Sequence, residues 1–138
     1  MAEGILRKKL AEKNLPVEVD SAGTLSWHAG NPPDHRSVSA ALEFGLDISP
    51  LRGRHFTISD FKDFDLILVM DKSNLTDVIS LAQTPDDINK VKLFLDYAGM
   101  PELAEVPDPY HGRLKDFTDL YRLLDKACDL VIARLMNS

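Results

Sequence analysis

The run DLILVM, Asp65 to Met70, most constrains what this chain can fold into. After Asp65 the side chains are apolar without interruption. A strand with one wet face would alternate polar and apolar residues, whereas a strand covered on both faces reads as a continuous apolar run. Helical patterns flank it. DKSNLTDVISLA follows directly as a helix, with Asp71 and Asn74 as its capping residues. KVKLFL then returns as a strand, and VEVDSAG forms an earlier one running into a glycine turn. Strands are therefore expected near residues 17–21, 66–70 and 91–94. Strands alternating with helices predict an α/β protein in three layers, a parallel sheet with helices on both faces. Ligands of such sheets sit beyond the carboxyl ends of the strands.

The helices have clear faces. Ala2 to Asn14 places Ala2, Ile5, Leu6 and Leu10 together, with Glu3 four residues before Arg7, and Pro16 ends it. Asp34 is expected to cap a helix from His35 to Phe44 with Val38, Ala41 and Leu42 inward, closed by Gly45. TISDFKDF reads as a short helix or turn and TPDDINK as a surface turn. In the last helix Phe117, Leu120, Tyr121, Leu124, Ala127, Cys128, Val131 and Leu135 recur at steps of three and four. The first helix starts at residue 2, where an α/β pattern would put a strand before it.

The 138 residues fit one domain, 1–138. A net charge of −6 gives no support for nucleic-acid binding, which needs a basic face. No run reaches the ~20 apolar residues of a membrane helix, and the N-terminus lacks the apolar stretch of a signal peptide. A single cysteine, Cys128, excludes an internal disulfide and suits a cytoplasmic location. His28, His35, His55 and His111 have no zinc-ligand spacing, so neither metal nor cofactor is expected. The basic spot Arg52 to Arg54 reads as a solvated loop, with a secondary contact for an acidic substrate peptide as the alternative.

EVPDPYHGRLKDF, Glu105 to Phe117, holds the most distinctive chemistry. Pro107 and Pro109 each fix their own φ, and Pro109 pushes Asp108 toward extended backbone. Neither proline can donate an N–H. A carboxyl held in one place with few local donors suits a general acid. The plainer alternative is a solvated turn leading into a helix.

Taken together these segments resemble the low molecular weight protein tyrosine phosphatases. MAEGILRKKL is similar to the helix after that family's phosphate-binding loop. VDSAGTLSWHAGNPPDHRSVSAALEFGLDIS resembles its second strand, aromatic-bearing loop and next helix. FDLILVMDKSNL matches the third strand, and VPDPYHG the loop of the general acid. The resemblance implies a Rossmann-like sheet and hydrolysis of protein phosphotyrosine or small aryl phosphates through a cysteinyl-phosphate intermediate. It makes Asp108 the general acid. It puts Tyr110 in one wall of the pocket and Trp27 on the opposing loop at its mouth. Ser21 would support the phosphate loop. A monomer or weak dimer is implied. His111 stands where the family often has a second aromatic.

One departure is larger. The family's nucleophile lies in a Cys-x5-Arg loop between its first strand and first helix, and these residues contain no such loop. Arg134 follows Cys128 at the right distance, but the five residues between, DLVIA, are helical and apolar, so Cys128 reads as core. The expectation is an N-terminally truncated domain without its central first strand. Two other readings stand beside the phosphatase. One is a catalytically dead module that binds phosphotyrosine or a partner. The other is an arsenate reductase on the same fold, whose chemistry would need additional cysteines.

Overall fold

A computed structural model describes residues 1–24, 30–100, 103, 105–109 and 112–137. Helix α1 (Ala2–Glu12) packs on the long C-terminal helix, as does α2 (His35–Glu43). The short helix α3 (Asp60–Asp63) precedes strand β1 (Ile67–Val69). Helix α4 (Lys72–Ser80) and the single-turn α5 (Pro85–Asn89) lead to β2 (Val91–Leu93). The turn α6 (Phe94–Tyr97) follows at once, and α7 (Leu114–Met136) ends the fold.

β1 and β2 pair in parallel, Ile67 opposite Val91 and Val69 opposite Leu93. The apolar run has its expected cause. Ile67 and Val69 point into a core with Phe56, Phe61, Val78 and Val91, whereas Leu68 and Met70 pack on the other face. That second core is formed by Ile5, Ala41, Phe94, Leu95, Tyr121, Leu124, Cys128 and Val131. Two cores on opposite faces of one parallel sheet make the three-layer α/β architecture. The buried face of α7 runs through Phe117, Tyr121, Leu124, Ala127, Cys128 and Val131. Phe44 at the end of α2 stacks on Tyr121, with centroids 4.3 Å apart. No described helix is long and apolar enough to cross a membrane.

Caps set the helix boundaries. The Asp34 carboxylate accepts from the Arg36 N–H at 2.8 Å, and that of Asp71 from the Asn74 N–H at 2.7 Å. Gly45 ends α2 with φ +79°, a conformation glycine adopts without strain.

Four expectations need correction. Residues 17–21 form no strand: among the described residues the one ladder contact nearby is a single bridge between Gly23 and His55. Strand identity needs a partner, and no described strand lies alongside them. Leu42 is 54% exposed, and Ala40 takes the buried place beside Ala41, because a one-residue rotation about the helix changes which neighbour faces α7. TPDDINK is a helical turn, since Thr84 caps it and Pro85 sits where its missing N–H is harmless. Arg54 is only partly solvated, because its guanidinium is held by Asp20 and Asp60.

Candidate active site

Glu3 lies on the inner face of α1, and its carboxylate is buried. It accepts from the Ser21 hydroxyl at 2.5 Å and from Arg7 at 2.8 Å. The i,i+4 spacing of Glu3 and Arg7 was legible in the sequence, but burial of the acid beside Ser21 was not. Ser21 and Glu3 share a groove of about 230 Å³ with Met1, Asn31, Pro32, Pro33, Leu51 and Arg52.

The segment around Ser21 is fixed from outside. Gly23 N–H donates to Arg54 O, and Phe56 N–H to Gly23 O, each at 2.8 Å. Gly30 N–H donates to Gly53 O at 2.7 Å, and Gly53 N–H to Asn31 O at 2.9 Å. One short stretch, residues 53–56, thus grips both Gly23 and the Gly30–Asn31 segment. Trp27 lies outside the described residues. The Arg54 guanidinium binds Asp60 through two nitrogens at 3.0 Å each and Asp20 through a third at 2.8 Å. Burial alone would raise the Asp60 carboxyl. Hydrogen bonds from Arg54 and the Thr57 N–H outweigh it and hold the group below the usual carboxylate range. Asp60 and Asp20 in turn raise Arg54 further above its already high value.

The Asp108 loop begins at the carboxyl end of β1. Val106 is buried, and its N–H donates to Met70 O at 2.8 Å. The Glu105 carboxylate accepts from Lys72 N–H at 2.8 Å, which ties the loop to the start of α4. At its far end Gly112 N–H donates to Pro109 O at 2.6 Å. A Cβ on Gly112 would lie 2.9 Å from that oxygen and 2.7 Å from an Asp116 carboxylate oxygen, so only glycine fits without a shift. The carboxylate of Asp116 also accepts from Arg113 N–H at 2.8 Å. Between these fixed ends Asp108 is exposed. Tyr110 and His111 lie outside the described residues. The two prolines flanking Asp108 back onto α7 over a recess of about 420 Å³ that Leu120 and Leu123 also line.

The site residues expected from sequence therefore divide. Asp108 and Ser21 are placed, each on a segment held at two ends, and they share no hydrogen bond. Trp27 and Tyr110 remain expectations. Arg36 was missed. Its side chain bonds Gly112 O at 2.9 Å, and no local spacing announces a partner 76 residues away.

Cys128 is fully buried in α7. Burial pushes its thiol up to about 12, and Asp125 and Asp129 work in the same direction against Lys9. Such a thiol carries almost no thiolate near neutrality and is no nucleophile. Among the described residues no group of three His, Cys, Asp or Glu is placed to hold a metal ion. What remains is an exposed carboxylate on a pinned loop beyond a parallel strand, which can carry a proton to or from a bound ligand.

The chain is similar to known proteins both in sequence and in fold. The family model described as low molecular weight phosphotyrosine protein phosphatase matches residues 1–138. A low molecular weight protein-tyrosine-phosphatase of Bacillus subtilis, YfkJ, is 33% identical over 139 residues, which covers 99% of this chain and 87% of the relative. A crystal structure of a protein tyrosine phosphatase from Entamoeba histolytica superposes with TM-score 0.90 at 30% identity, covering 99% of this chain and 87% of that one. The structure of a Drosophila arginine phosphatase superposes with TM-score 0.87 at 33% identity, covering 97% and 87%.

Proposed function

Because the chain belongs to the low molecular weight phosphotyrosine protein phosphatases, enzymes that act on protein tyrosine phosphates, we propose that it hydrolyses phosphotyrosine with Asp108 as general acid. The observation that carries this reading is the Asp108 loop. It is tied to the carboxyl end of β1 at Val106 and closed at Gly112, so a free carboxylate is held where ligands of parallel sheets bind. In the first step a cysteine thiolate attacks phosphorus and the phosphorus–oxygen bond to the aryl group breaks. Asp108 gives its proton to the departing oxygen. In the second step the Asp108 carboxylate takes a proton from water as that water attacks the cysteinyl phosphate and releases the thiolate. Trp27 and Tyr110 flank the substrate ring. Ser21, oriented by Glu3, supports the phosphate-binding loop. The residues work as a single domain, 1–138, in a cytoplasmic setting to which the lone buried thiol is suited.

The nucleophile of this scheme is not Cys128. By the family resemblance the thiolate is that of a Cys-x5-Arg loop, whose arginine grips two phosphate oxygens. The buried Cys128 favours a second reading for the 138 residues by themselves, a module that binds without turnover.

The test compares two forms. The 138-residue chain alone should not turn over p-nitrophenyl phosphate. Joined in frame to a strand and Cys-x5-Arg loop, it should. In that form Asp108→Ala should slow phenyl phosphate and phosphotyrosine by roughly 10²–10⁴-fold, the usual contribution of a positioned acid. p-Nitrophenolate leaves without needing the proton, so its rate should fall less. Equal activity of Asp108→Ala on phosphotyrosine would refute the assignment. Phosphoarginine in place of phosphotyrosine distinguishes the substrate class of the Drosophila neighbour.

A further inference from the structure

We propose that Arg36 is a positioning residue that locks the Asp108 loop to the wall of the Ser21 groove. The inference rests on the general-acid reading for its catalytic consequence, but not for its geometry.

Among the described residues the Arg36 guanidinium reaches both Asp34 and Gly112. Nε and Nη2 bind the two Asp34 carboxylate oxygens at 3.1 and 2.8 Å, a forked ion pair. Nη1 donates to Gly112 O at 2.9 Å. The guanidinium carbon also sits 4.6 Å from the Phe117 ring centroid, so the plane rests on the first turn of α7. Asp34 is itself immobilised, because the same carboxylate caps α2 through Arg36 N–H. Its carboxyl is drawn down to about 2, chiefly by the Arg36 side chain, so the pair stays ionised across the physiological range.

These contacts form one mechanical path. Asn31, Pro32 and Pro33 wall the groove that holds Ser21 and Glu3. Asp34 follows immediately and fixes Arg36. Arg36 then holds Gly112, the residue that closes the Asp108 loop against Pro109 O. The upstream end of that loop is already set by Met70. Arg36 therefore decides where the downstream end lies relative to the groove. Lysine cannot do this, since a single ammonium lacks the planar fork that serves Asp34 and Gly112 together. Displacing a reacting proton donor by ~1 Å is enough to cost roughly 100-fold in rate.

Amide hydrogen exchange in the 138-residue chain tests the geometry. Arg36→Ala should speed exchange of the Gly112 and Arg113 N–H groups at least ~10-fold, while Val106 N–H, tied to Met70, stays protected. Arg36→Lys should restore little. Asp34→Asn keeps the cap on α2 but removes the ionic anchor, and it should loosen the same two amides even if Arg36→Ala folds poorly. In the form joined to a Cys-x5-Arg loop, Arg36→Ala should lower kcat on phenyl phosphate more than on p-nitrophenyl phosphate, with KM little changed. Unchanged exchange at Gly112 and Arg113 in both Arg36→Ala and Asp34→Asn would overturn the lock. So would full rescue by lysine. If the lock is seen but Asp108→Ala shows no leaving-group dependence, it is the general-acid reading that fails.

Discussion

Replacing Asp60 with alanine tests the electrostatic clamp beneath the Ser21 segment. Asp60 is 5% exposed and accepts three hydrogen bonds, two from Arg54 at 3.0 Å and one from Thr57 N–H at 2.9 Å. Removing one member of a fully buried ion pair costs about 3–5 kcal/mol. Two facts reduce that figure. The Arg54 side chain is 35% exposed, so water re-solvates part of it, and Asp20 remains at 2.8 Å. Loss of the acceptor for Thr57 N–H, in the turn before α3, adds about 1 kcal/mol. The net expectation is about 2–3 kcal/mol. With an unfolding entropy of about 2.1 cal/mol/K per residue over 138 residues, this corresponds to roughly 8 °C in Tm. The pH dependence has a definite sign. The folded carboxyl titrates below its usual value, so its stabilisation is complete above the unfolded pKa of about 3.9 and fades as pH falls through the folded one. Denaturant unfolding at pH 7 and near pH 3 should therefore show a gap between wild type and Asp60→Ala that narrows in acid. A gap below about 0.5 kcal/mol at pH 7, or one that persists unchanged at pH 3, would show that the clamp contributes nothing through its charge.

The remaining predictions concern single groups. Cys128 should resist thiol reagents at pH 8 in the native protein and react at once in denaturant, and Cys128→Ala should cost about 1 kcal/mol without altering turnover in the form joined to a Cys-x5-Arg loop. Rapid native labelling would contradict the core assignment. Gly112→Ala should destabilise by about 1–3 kcal/mol, because its Cβ would press on the Pro109 carbonyl and on Asp116. Chemical denaturation together with exchange of the Arg113 amide measures it, and a neutral substitution would mean the loop end is free to move.

Patterns that depend on neighbours along the chain are legible in the residues alone. The continuous apolar DLILVM run implies a strand covered twice, and Ile67 and Val69 do face one core while Leu68 and Met70 face the other. The three- and four-residue recurrence in the last helix marks its buried face, and Asp34 and Asp71 announce the helix starts they cap. In each case the cause is local, a backbone periodicity or a side chain bonding an amide two or three residues on. Bracketing prolines likewise mark Asp108 as fixed, because proline acts on its own φ and on the residue before it. The tertiary structure decided what depends on distant partners. Residues 17–21 have strand-like composition, but a strand exists only through a neighbour's ladder. Arg54 reads as a solvated basic spot until Asp60, six residues on, and Asp20, 34 residues back, close around it. Glu3 becomes a buried acid only when Ser21 folds against it. Arg36 meets Gly112 because α2 and α7 pack side by side, and no local spacing could foretell a contact 76 residues away.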